Sequence, residues 1–189
     1  MLSHSLTKLP VAGQKITLPT MAGSGDALAL AQTVIACLKQ NAALLVICED
    51  SANVQRLEEE MRWWLTQAKL PQTRIVVFPD GETLPYDPFS PHQDLISERI
   101  ATLYRMLRGD VDIVLTAAAT ALQRLPPPSY LAAHTFLLKT GDHVDTNALR
   151  AQLILAGYSA VTQVVAPGEF AVRGSLIDLF PMGASQPYR

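Results

Sequence analysis

The sequence lacks a net positive charge, a long apolar run, a metal-ligand pattern and more than two cysteines, and each absence excludes something. Fifteen Lys and Arg against seventeen Asp and Glu leave a formal charge of -2, which gives no electrostatic footprint for nucleic acid. No apolar run is long enough to span a bilayer, and no signal-peptide pattern opens the chain, so a cytoplasmic protein with no membrane partner is expected. Cys37 falls in a helical pattern and Cys48 ends a strand pattern, which reads as two buried reduced thiols and not a disulfide. His4, His92, His134 and His143 are scattered without metal-ligand spacing, so no metal site is expected. What is present is the material of a folded chain: 189 residues, 49% apolar and 17% charged, enough for one large domain or two small ones.

Periodicity divides the chain. Asp26 to Lys39 repeats apolar residues at three- and four-residue spacing and predicts a helix. "ALLVIC" (43–48), "RIVVF" (74–78) and "VDIVLT" (111–116) are short apolar runs of the kind buried parallel strands show. Between them Ser51 is placed to cap a helix running to about Gln67. Ser90-Pro91-His92-Gln93 predicts a helix start, with Ser90 as N-cap, Pro91 first and Gln93 closing a capping box. Its inward stripe is Leu95, Ile96, Ile100, Leu103 and Leu107, and Gly109 ends it. Alternation of helix and strand predicts an α/β layer with a parallel sheet over residues 1–127. After Pro126-Pro127-Pro128 the pattern changes to a smaller α+β module over 128–189: a strand at "TFLLK", a helix from Asp145 to Ala156, then "VTQVV", "EFAV" and "SLIDLF" in antiparallel pairing. The polar segment up to Arg189 leads toward a further strand, and the chain reads as a fragment.

The stretch "PTMAGSGDALALAQ" (19–32) raises the question of a nucleotide site. A phosphate loop needs G-x-x-x-x-G-K-[ST], with backbone N–H groups cradling phosphates, a lysine on their charge and a hydroxyl on Mg²⁺. With Gly25 as the last glycine, the first position holds Thr20, the lysine position Asp26 and the hydroxyl position Ala27. Gly23, Ser24 and Gly25 keep the turn, but three of the four defining residues are missing. Asp26 puts a negative charge where the triphosphate would sit, while suiting a helix N-terminus. The loop is either a remnant that keeps the shape without the chemistry or a glycine turn before a helix.

Other candidates concern surfaces. Trp63 and Trp64 diverge by about 100° on a helix, so one is expected inward and the other partly exposed, and Glu58-Glu59-Glu60 reads as a largely solvated face. Tyr86 and Phe89 offer either packing or contact. In the last third, Arg150 lies beside the apolar stripe of its helix, and Phe170 and Arg173 flank a strand before Gly174. Arginine and aromatics are common interface anchors. Strict alternation puts positions 170 and 173 on opposite faces, which equally suits a core Phe170 and a solvated Arg173.

Taken together, "LPYDPFSPHQDLISERIATLYRML", "IVLTAAATALQRLPPPSYL" and "GEFAVRGSLIDLFPMGASQPYR" resemble the N-terminal region of the bacterial transcription-repair coupling factors, a region similar to UvrB of nucleotide excision repair. The resemblance implies a degenerate P-loop, helicase-like parallel layer without ATPase activity or cofactor, followed by a module that docks onto UvrA. It makes Arg150, Phe170 and Arg173 the candidate UvrA contacts. Pro167 departs from the basic residue such sequences often carry there, and the short connection from 78 to 90 lacks the long tyrosine-rich insertion of UvrB. RNA polymerase and DNA would be reached only through parts of the full-length protein outside this chain. The competing reading is a UvrB-type ATPase or helicase fragment, against which Asp26 and Ala27 stand.

Overall fold

The computed structural model describes residues 9–81, 83, 88, 90–133 and 138–189. In chain order the elements are α1 (Gly25–Lys39), β1 (Leu44–Cys48), α2 (Ser51–Gln67), β2 (Ile75–Phe78), α3 (Gln93–Leu107), β3 (Ile113–Ala117), α4 (Ala118–Ala121), α5 (Pro128–Ala133), α6 (Thr146–Leu155), β4 (Ser159–Ala160), β5 (Glu169–Arg173) and β6 (Leu176–Phe180). Two compact units result, Met1–Asp80 with Arg108–Gln123, and Gly81–Leu107 with Arg124–Arg189. Helix α3, read from sequence as part of the first layer, belongs to the second unit.

The first unit is the parallel layer that alternation of helix and strand predicts. Its sheet has the order β1-β3-β2, and both outer strands run parallel to β3, with Leu44 and Ile75 each opposite Ile113. One face is covered by α1 and α2. Ala27, Ala31 and Val34 of α1 and Val54, Leu57, Met61 and Leu65 of α2 pack with Val46, Ile75, Ile113 and Leu115 of the strands. Period two then turns Leu45 and Ile47 to the other face, where both are exposed. Helix α2 starts one residue away from expectation: Asp50, not Ser51, is the cap, its Oδ1 accepting from the Asn53 N–H at 2.8 Å. A carboxylate satisfies that orphan donor and suits the helix dipole, and such a cap stabilises a helix by about 1 kcal/mol. Cys37 and Cys48 are free and buried, and burial pushes both thiols up. Trp63 is exposed, and Trp64 packs against the core edge-on to it, with ring centroids 4.7 Å apart.

The second unit holds the sheet β4-β5-β6. Strands β5 and β6 form the expected antiparallel hairpin, Phe170 opposite Leu179 and Arg173 opposite Leu176. Gly174 takes φ 62° at the first turn position, where primed hairpin turns call for glycine. Asp145 caps α6 by accepting from Asn147 and Ala148, and α6 sets Leu149 and Leu153 against Phe170 and Leu179 to make the core.

Four expectations fail in this unit. β4 pairs parallel, not antiparallel, with β5. "VTQVV" is no strand, because the Glu169 carboxylate accepts from the Val165 and Ala166 N–H groups at 2.7 and 2.9 Å and ties this stretch into a local turn. Helix α3 starts at Gln93, and His92 Nδ1, in place of Ser90, accepts from the Asp94 N–H at 3.3 Å. Its buried residues are Ser97 and Thr102, whereas Ile100 and Leu107 of the expected stripe are exposed. Ser97 is buried because it has a partner: its Oγ accepts from the Gly183 N–H at 2.6 Å. Leu138 and Lys139 of the expected "TFLLK" strand are outside any strand. The rest of that stretch, with Tyr86, Phe89, His4 and His134, lies outside the described residues.

Candidate functional site

Two places bear on function, and the glycine turn at the start of α1 is the first. Gly23 takes φ 58°, which glycine adopts without strain, and α1 begins at Gly25. A Cβ on Gly25 would meet the Met21 Cβ at 3.0 Å, so the turn is tight. Among the described residues before it, 9 to 22, there is no strand, whereas a phosphate loop joins a strand to its helix.

The charge question at this turn is answered within the chain. Asp26 accepts from Arg56 of α2 through both oxygens, Oδ2 from Nη2 at 2.7 Å and Oδ1 from Nη1 at 3.3 Å, while Oδ1 also accepts from the Ala27 N–H at 2.7 Å. Glu60 accepts from Arg56 Nη1 at 2.9 Å on the other side. The Arg56 hydrogen bond holds the Asp26 carboxyl below its ordinary value of 3.8, and Asp26 in turn raises the Arg56 guanidinium. Thus a guanidinium 30 residues further on takes up the carboxylate that stands at the lysine position.

This clamp gives a pH prediction. A depressed carboxylate contributes stability above its unfolded pKa and loses it as pH falls through the folded value. With side-chain exposures of 38% and 43% for Arg56 and Asp26, the contribution is discounted to about 0.5–1 kcal/mol. Asp26→Asn is therefore expected to lower the denaturation midpoint slightly at pH 7, with the difference from the wild type shrinking as pH falls below 3.8. Urea titrations at both pH values check this.

The second place is a cleft on the sheet of the second unit. Phe170 packs against α6, and alternation along β5 puts Arg173 on the opposite face. Across the hairpin, Leu176 and Asp178 share the face of Arg173. Arg173, Asp178, Tyr188 and Arg189 line an open cleft of about 610 Å³ together with Gln163 and Val164. Arg189 holds Asp178 with two hydrogen bonds, Nε to Oδ1 at 2.7 Å and Nη2 to Oδ2 at 3.1 Å. These bonds lower the Asp178 carboxyl, helped by the charge of Arg173. Arg173 Nη2 donates to the Thr162 carbonyl at 2.6 Å. Tyr188 is fixed beside Leu179 by a pair of backbone hydrogen bonds. The two guanidiniums that line the cleft keep N–H donors beyond those given to Asp178 and the Thr162 carbonyl, an arrangement suited to carboxylate recognition.

The three candidate contacts therefore have different fates. Arg173 is exposed in the cleft. Arg150 is exposed on α6 and does not line the cleft. Phe170 is 1% exposed at the centre of the core, so its ring offers no surface to a partner; the alternation that placed it inward is what the structure shows. Pro167 is buried beside Gly168. Sequence reasoning missed Arg56 and Arg189. Neither belongs to a motif, and each is recognised only through the carboxylate it meets across the fold.

Residues 136–189 match the family model of the UvrB interaction domain. The transcription-repair-coupling factor of Haemophilus influenzae is 42% identical over 164 residues, which is 87% of this chain and 14% of that protein. That of Escherichia coli is 39% identical over 182 residues, 93% of this chain and 15% of that protein. That of Bacillus subtilis is 24% identical over 149 residues, 79% of this chain and 12% of that protein. The chain is thus related over most of its own length to one short stretch of the transcription-repair-coupling factors, and from residue 136 onward to the UvrB interaction domain.

Proposed function

We propose that this chain is a docking part of a transcription-repair-coupling factor, and that its second unit binds UvrA of nucleotide excision repair through the cleft around Arg173. The observation that carries the reading is the cleft itself: it lies within the segment matching the UvrB interaction domain, and both Arg173 and Arg189 line it together with Asp178. Arginines held in position by neighbouring acceptors lose less entropy on meeting a partner and so bind it at lower cost. Arg150 is a second, peripheral contact in this reading, and Phe170 supports the surface from beneath by fixing β5 against α6. The first unit serves as scaffold: its loop descends from a nucleotide site, lacks the lysine and hydroxyl, and hydrolyses no ATP. In the full-length protein the docking delivers UvrA to a stalled RNA polymerase, whose binding and whose DNA-translocating motor belong to the remainder of the relatives' length.

Calorimetric titration of purified UvrA into the 189-residue chain tests the docking. Saturable binding by the wild type and its loss in Arg173→Ala are expected, with circular dichroism showing both proteins equally folded. A wild-type chain that is folded and shows no heat of binding overturns the assignment.

A further inference from the structure

The second unit carries another concavity, sharing no residue with the cleft. It is a groove of about 650 Å³ between the first turns of α3 and the segments 165–167 and 180–185. The two sequence stretches left unused by the docking surface, "SPHQDLISER" and "FPMG", meet in it.

The groove is preformed. A Cβ on Gly183 would lie 2.7 Å from the Ala101 Cβ, and one on Gly168 would lie 2.5 Å from Gln93 Nε2. At Gly183 the chain therefore approaches α3 more closely than any other residue type allows. The Gly183–Ser97 hydrogen bond and one from the Met182 N–H to the Tyr158 hydroxyl, at 3.0 Å, hold this wall in place. Its floor is apolar, made by Ala101, Ala166, Pro167 and Phe180, and at its lip Val165 is 71% exposed.

Charge is distributed on one side only. Asp94 and Glu98 stand one helical turn apart along the groove, and neither lysine nor arginine lines it. Among the described residues Asp94 meets only His92, at 3.4 Å, and Glu98 makes no ion pair. An apolar floor beneath two carboxylates that no lysine or arginine meets is complementary to an apolar side chain flanked by fixed positive charge.

We propose that this groove is a second protein-docking site, receiving an extended segment that sets an apolar side chain on the floor and lysine or arginine against Asp94 and Glu98. The site is independent of the UvrA cleft. Fluorescence anisotropy on the full 189-residue chain tests it, with a labelled heptapeptide alternating lysine and leucine and a counterpart carrying glutamate for lysine. The lysine peptide is expected to bind saturably, more weakly as salt rises. Its affinity should fall about tenfold in the doubly substituted Asp94→Asn, Glu98→Gln chain, and also in Val165→Ser, while Arg173→Ala leaves it unchanged. All these positions are exposed, and unchanged melting curves would show the variants to be folded. No saturation at about 1 mM chain overturns the proposal. So does tighter binding of the glutamate peptide, which would make the α3 N-terminus the attracting group. Equal affinity of the wild type and the doubly neutralised chain overturns it too.

Discussion

Arg173→Glu is expected to weaken UvrA binding by about a hundredfold, the size expected of an interface hot spot, with the fold intact. The argument is electrostatic and geometric. The wild-type cleft holds two guanidiniums and one carboxylate. Reversing the charge at 173 leaves two carboxylates and Arg189, whose bonds to Asp178 already occupy Nε and Nη2. A partner carboxylate that met attraction would then meet repulsion, and like-charge juxtaposition in an interface costs several kcal/mol. Arg173→Lys separates charge from shape: it keeps the positive charge but loses the planar fork, so a smaller loss is expected. Calorimetry or surface binding with immobilised UvrA measures both. Equal binding by Arg173→Glu and the wild type would remove Arg173 from the interface.

Phe170→Ala carries the largest expected stability effect, about 3–5 kcal/mol. Among the described residues Phe170 is the largest side chain with less than 2% exposure, and its cluster holds three other buried members, Leu149, Leu153 and Leu179, with Tyr158 and Ile177 packed against it. So small a core has little with which to refill the cavity. Set against a total stability of about 5–15 kcal/mol for a typical domain, the loss brings the second unit close to unfolding. Phe170→Leu, which keeps most of the volume, is expected to cost less than about 1.5 kcal/mol. Urea unfolding followed by circular dichroism ranks the two. UvrA binding should follow the same ranking: weak in the alanine variant because β5 is no longer held, near wild type in the leucine variant. A leucine variant that folds as the wild type does yet fails to bind would show the ring itself to be a contact.

Much of the architecture was legible in the sequence, because its signals are local. The apolar runs of β1, β2 and β3 and the three-four spacing of α1 and α2 require no knowledge of partners. Gly174 marks a hairpin turn by its own conformational freedom. What was not legible depends on contacts between distant positions. Nothing in "PHQDLISER" says that Ser97 is the buried residue; that follows from a backbone N–H 86 positions later. The turn that ends the expected strand at 161–165 is closed by one carboxylate, Glu169, which accepts from the N–H groups of Val165 and Ala166. The site divides in the same way. Asp26 was readable as the wrong residue for a phosphate, but its partner Arg56 was not readable at all. Arg173 was nameable, whereas the cleft that gives it a role needs Asp178 and Arg189 brought together by the hairpin.

Strand β1 has a consequence of a colloidal kind. Its five residues, Leu-Leu-Val-Ile-Cys, lie at one edge of the first sheet and pair residue for residue with β3 alone. They include no charge, no proline and no bulge, the devices by which sheets ordinarily refuse a further strand. Leu45 and Ile47 stand exposed on that edge at 57% and 55%, and a net charge of -2 provides little long-range repulsion between molecules. For the isolated chain, this strand therefore lowers the concentration that can be reached before molecules associate.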